Sequence, residues 1–71
     1  MRAATMKILT PELVSSYLQW RALEEEYDAD FLEKCAERFD GARESFLNNA
    51  EAHRLRARNI RASLEIPRGA N

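Results

Sequence analysis

From Glu12 to Phe39 the chain contains neither glycine nor proline, and bulky side chains recur every three or four residues: Tyr17, Trp20, Leu23, Tyr27, Phe31, Cys35 and Phe39. That spacing lays them along one face of a helix. The stretch holds five of the six aromatic residues of the chain. Rings of this size dominate core and interface energetics, so the stripe reads as the core of whatever forms here. The alternative is that part of it docks a partner.

The helix has a clear start. Thr10 is placed to cap through its hydroxyl, Pro11 suits a first turn whose N–H has no partner, and Glu12 complements the helix dipole. Leu9 and Val14 occupy the two positions of a hydrophobic staple. Asp30-Phe31-Leu32-Glu33 has the form of a capping box, which would restart a helix after a break near Asp28. The uninterrupted reading is one helix over 11–39, about 43 Å long.

Asp40-Gly41 is the strongest breaker, because glycine tolerates the left-handed conformation that ends many helices. Beyond it Ala42, Phe46, Ala50, His53, Ala57, Ile60 and Leu64 recur at helical spacing, a second helix over 42–65. Ile66-Pro67 stops it, since the residue before proline avoids the helical region. The fold class is therefore all-α, an antiparallel helical hairpin of 11–39 and 42–65. Residues 10–66 make the hairpin domain, between a flexible segment 1–9, in which Met6 is an alternative start, and a disordered tail 67–71. Three shorter helices broken near Asp28 and Asn48, or one bent helix in a coiled coil, remain open.

At 71 residues the chain makes one small domain. A lone core of this size rarely supplies more than ~3–5 kcal/mol without a disulfide, a metal or oligomerisation. One cysteine excludes an internal disulfide, and one histidine with one cysteine does not complete a structural zinc site. Oligomerisation is the aid left. No apolar run approaches the ~18 residues of a membrane span, and the N-terminus lacks the apolar stretch of a signal peptide. The expectation is a cytoplasmic protein without membrane contact.

The net charge of −1 conceals an asymmetry. Residues 11–40 carry nine acids and three bases, so −6; residues 41–71 carry three acids and six arginines, so +3. In a hairpin turning at 40–41, residue i lies near residue 81−i. Tyr17 would face Leu64, Phe31 would face Ala50 and Cys35 would face Phe46, large against small. Asp28 would meet His53 as an ion pair, and the run Glu24 to Asp28 would lie beside His53 to Arg58, favouring one alignment.

The apolar face of the first helix covers about half its circumference, wider than the ~100° of an ordinary surface helix. A second copy would bury the excess, which predicts a homodimeric four-helix bundle. Tyr17, Tyr27, Phe31, Phe39, Phe46, Ile60 and Leu64 are its expected core and dimer residues.

Chemistry-bearing patterns are sparse. His53 is a candidate pH switch with Asp28 or Glu24, against the plainer reading of a hydrogen-bonded interface histidine. Cys35 reads as a small apolar filler. No nucleophile–base pair, glycine-rich phosphate loop or metal-ligand spacing occurs in the sequence, so no catalytic, cofactor or metal residues are assigned and no enzyme activity is expected. Arg43, Arg54, Arg58 and Arg61 share one side of the second helix, with Leu47 and Leu55 nearby. Arginines so placed can track a phosphate backbone, but Glu51 and Glu65 interrupt them and the pI is about 5.8.

The first functional reading is a non-catalytic helical dimer that binds and modulates another protein. It would act as an inhibitor, anti-activator or adaptor of the kind that phages and plasmids encode, with Arg43, Arg54, Arg58, Arg61, Leu55 and Trp20 at the contact. The second is a nucleic-acid-binding hairpin dimer that uses the arginine line. The third is a structural subunit of a larger assembly.

Overall fold

A computed structural model of the chain describes residues 10–65. Two helices, α1 (Pro11–Arg38) and α2 (Arg43–Leu64), are joined by a single 3-10 turn over Asp40–Ala42 and pack against each other as an antiparallel hairpin. The readings of residues 1–9 and 67–71, the staple residue Leu9 and the stop at Ile66-Pro67 lie outside the described residues.

α1 begins where the sequence places it. The Leu13 N–H donates to Thr10 Oγ1 at 3.1 Å, with Pro11 in the first turn. The helix runs unbroken through Asp28 to Glu33, so the capping-box pattern there starts nothing; good helix formers on both sides prevail. Asn48-Asn49 likewise stays helical. α1 closes with the Phe39 N–H donating to the Cys35 carbonyl at 2.9 Å, and the Ala42 N–H donates to the Phe39 carbonyl at 3.1 Å. Gly41 does not use the left-handed region, contrary to expectation. The 3-10 turn reverses the chain with ordinary backbone angles.

The packing corrects the sequence reading most. Tyr17, Trp20, Leu23, Tyr27 and Phe31 are not buried against α2, and Phe39 meets it only at the turn; each is more than half exposed, up to 72% at Tyr27. Among the described residues, the buried side chains are Ala22, Ala29 and Ala36 of α1 with Ala50 and Ala57 of α2, together with one acid, Glu25. In each helix the alanines repeat every seventh residue, which keeps them on the face of a two-helix seam. Ser15, Leu18, Ala22, Glu25, Ala29, Leu32 and Ala36 thus form the inner edge of α1. Phe46, Ala50, His53, Ala57, Ile60 and Leu64 form that of α2, where the expected face is the observed one.

Small side chains on both sides let the two backbones approach closely, and interaxial distance depends on the side chains at the contact. Rings between the helices would hold them apart. Five buried methyl groups at ~0.8 kcal/mol each give the seam about 4 kcal/mol of apolar burial, little for a domain.

Successive residues turn by about 100°, which puts Leu13, Tyr17, Trp20, Tyr27 and Phe31 on the side of α1 opposite the alanines. α1 is therefore apolar on two opposed faces, and the hairpin covers only one. Phe39 and Phe46 meet at the turn, ring centroids 6.2 Å apart and tilted at 41°. Cys35, expected to face Phe46, is half-buried. No helix among the described residues is long and apolar enough to cross a membrane.

Candidate functional site: a buried ion-pair seam and an exposed aromatic face

Two rims of charge flank the alanine seam. On one, Arg61 grips Glu26 with two parallel bonds of 2.8 Å, and Arg54 reaches Glu33 at 2.7 Å and Asp30 at 3.2 Å. These pairs join the acidic helix to the basic one, and all three are displaced in the same direction from the 81−i alignment expected from the charge asymmetry. Glu26, Asp30 and Glu33 line the edge of the helix contact. The Arg61 guanidinium holds the Glu26 carboxyl below its ordinary range, and the arginines are raised in return by Glu26 and, for Arg54, by Glu33 and Asp30.

On the other rim Glu25 sits in the seam itself, 5% exposed. Its Oε1 lies 2.5 Å from His53 Nδ1 and 3.3 Å from Arg56 Nε, and Arg21 Nη2 meets its Oε2 at 2.7 Å. Arg21 also binds Glu24 at 2.6 Å. Hydrogen bonds from His53 and then Arg21 lower the Glu25 carboxyl to about 2; burial opposes this and is outweighed. Because Glu25 is ionised, Nδ1 of His53 carries the proton in this contact and donates. The approach of Arg56 Nη2 to the same nitrogen, at 3.2 Å, is then a close passage and not a hydrogen bond.

The expected ion pair of His53 thus forms with Glu25 and not with Asp28, three residues along α1 and nearly one turn away. Asp28 stays near: ligand atoms of Glu25, Asp28 and His53 all lie within 4.8 Å of one another. Three such groups can hold a divalent cation in principle. Here two guanidinium groups already occupy the Glu25 carboxylate, and their positive charge opposes a cation at the same oxygens. The cluster is an ion-paired strut between helices.

The arginine line comes apart in the structure. Arg54 and Arg61 are engaged with α1, Arg58 lies 3.7 Å from Glu51 on its own helix, and Arg43 is exposed on the first turn of α2. Leu55 is 50% exposed on the outer side of α2. Of the expected core and dimer residues, Phe46, Ile60 and Leu64 are half-buried on the seam, whereas Tyr17, Tyr27, Phe31 and Phe39 are open.

Among the described residues, the open face of α1 is the main run of exposed large apolar side chains. Tyr17 and Trp20 lie tilted at 41° to each other, centroids 6.3 Å apart. With Leu13, Val14, Ser16 and Leu18 they line an apolar groove of about 680 Å³ near the start of the helix. Sequence reasoning turned Tyr17 inward, kept Trp20 for a partner contact, and passed over Glu25. The signal for both was the seven-residue alanine repeat, which places position 25 between two alanines on the seam and position 27 outside it. No protein-family model, curated protein or solved structure matches the chain.

Proposed function

We propose that the protein works by contact: a non-catalytic helical hairpin that self-associates and binds and modulates another protein, with the outer face of α1 as its principal contact surface. One observation carries this reading. Leu13, Tyr17, Trp20, Leu23, Tyr27 and Phe31 are each half or more exposed on a single helix face, and apolar patches of that kind mark interaction sites. Aromatic residues are the usual anchors of such sites. The titratable cluster at Glu25 supports the reading from the other side, because its groups are spent on holding the helices together.

The nucleic-acid reading loses support for the same reason. Two of its four arginines, Arg54 and Arg61, are paired with acids of α1, and a phosphate backbone would have to displace those partners.

The test is capture of a protein from a nuclease-treated host lysate at physiological salt, by the wild-type chain and by Trp20→Ala. A specific protein held by the first and lost by the second, with the helical content of both equal, is the expected result. Binding of random DNA or RNA with a steep salt slope, and no protein captured, would replace this reading with the nucleic-acid one.

A further inference from the structure

We infer that a second copy of the chain covers the outer face of α1, with the two α1 helices antiparallel and the two-fold axis level with residue 22. The inference rests on the reading of that face as a contact surface. Three observations select this occupant and this geometry.

The first is the layout of the stripe. Its positions 13, 17, 20, 24, 27 and 31 step by four and three in turn, the spacing of a two-helix seam. They are symmetric about position 22. Antiparallel pairing at that level sets Leu13 against the partner's Phe31, Tyr17 against the partner's Tyr27, and Trp20 against the partner's Glu24. Sliding by one heptad in either direction sets stripe positions against Lys34 and Arg38 or leaves them beyond the contact.

The second is charge. Glu24 is the one acid within the stripe. Parallel pairing would oppose it to its own copy, and would do the same to Lys34 and Arg38 beyond it. Antiparallel pairing separates the like charges. It brings Glu24, already neutralised by Arg21 at 2.6 Å, beneath the partner's Trp20, whose indole N–H is a donor without an acceptor of its own in the stripe.

The third is area. Six side chains at half to three-quarters exposure, about 100 Å² each, offer about 600 Å² per copy. A two-fold pairing then covers about 1,200 Å², above the ~1,000 Å² that a specific interface needs. Because this face is opposite the alanine seam, each α1 lies between its own α2 and the partner's α1. The four helices stand in a row with the α2 helices outermost, in place of the compact bundle expected from the sequence. Leu55 and Arg58 remain outside this pairing, and a different protein that needs Trp20 competes with the second copy for the outer face of α1.

A charge exchange tests the pairing. Sedimentation of the full chain across low to high micromolar concentration should show a monomer–dimer equilibrium. Tyr17→Lys alone and Tyr27→Glu alone should each weaken the dimer ten-fold or more, with helical content unchanged because both sites are exposed. The two substitutions in one chain should restore most of the loss. Antiparallel pairing sets each new ammonium against a new carboxylate, whereas parallel pairing sets like against like.

Spin labels at Ser16→Cys and at Glu37→Cys, in a Cys35→Ala background, give an independent ruler. With ~1.5 Å rise per residue, the label pairs should lie about 20 Å and about 45 Å apart. Equal short distances at both sites mean a parallel dimer and overturn the inference, as does a doubly substituted chain no better than the singles. A wild-type chain still monomeric at high micromolar concentration also overturns it. In that last case a lysate protein captured through Trp20 would leave the proposed function standing without the self-pairing.

Discussion

Glu25 is the residue whose environment departs furthest from its sequence neighbourhood. It sits between two alanines on a seam otherwise made of methyl groups and half-buried apolar side chains, and three cationic or donor groups compensate its burial. Its carboxyl falls from 4.5 to about 2 on folding. A depressed acid contributes stability that is whole above its unfolded value and disappears as pH falls through its folded value. Urea unfolding should therefore be insensitive to this group above pH 4.5 and show a decline between pH 4.5 and about 2, and Glu25→Gln should flatten that decline. A profile identical in both chains would remove Glu25 as its source.

A double-mutant cycle measures the strut itself. Glu25→Ala takes the carboxylate partner from His53, and His53→Ala takes one of three donors from Glu25, each at a cost of about 1–3 kcal/mol. The double substitution extends the alanine seam and should cost much less than the two singles together, because a buried ion pair replaced by packed apolar groups is often neutral. Additive losses in denaturant melts would mean that the two residues act separately.

At the scale of elements, the seam and the turn behave oppositely toward added volume. Ala29 is fully buried where the helices touch, and Ala29→Leu should destabilise the hairpin by about 1–3 kcal/mol through overpacking. Tyr27→Ala, two positions earlier and the larger change in size, should stay within about 0.5 kcal/mol in dilute solution, where no second copy covers it. The reverse order would return the rings to the core. Gly41 has nothing within 4 Å of where a Cβ would sit and no left-handed backbone to lose. Gly41→Ala should accordingly stabilise by about 0.4–1 kcal/mol, by restricting the unfolded chain; a loss on thermal melting would show that the turn needs glycine after all.

At the scale of the molecule, a five-alanine core with about 4 kcal/mol of apolar burial must offset the ordering of two long helices. The rim pairs are mostly exposed and worth ~0–1 kcal/mol each, so they align the helices more than they stabilise them. On the proposed pairing, association adds stability, because a dimer binds only the folded state. The melting temperature should thus rise with protein concentration, and Tyr17→Lys should abolish the rise while leaving the dilute value unchanged. A concentration-independent melt of the wild-type chain would mean that the hairpin is stable alone.

Local chemistry was enough to specify much of this protein. Thr10-Pro11, the breaker-free run to Phe39, the Asp40-Gly41 reversal and the spacing of Phe46 to Leu64 define two helices and a turn, because capping and backbone preference act within a few residues. The opposite charge of the two halves foretold that the acidic helix lies along the basic one, but Arg54 and Arg61 were assigned to a partner and reach α1 instead, since long charged side chains find partners over a wide range of geometries. What the linear pattern left undecided was the rotation of α1 about its own axis. Both of its faces are apolar, so periodicity alone supports either, and ring size argued for the wrong one. Only packing in three dimensions resolves it: a one-turn connection brings the backbones close, close backbones admit alanine and not tryptophan, and the rings are left facing outward. The same rotation carried Glu25 into the seam and made His53 its partner in place of Asp28.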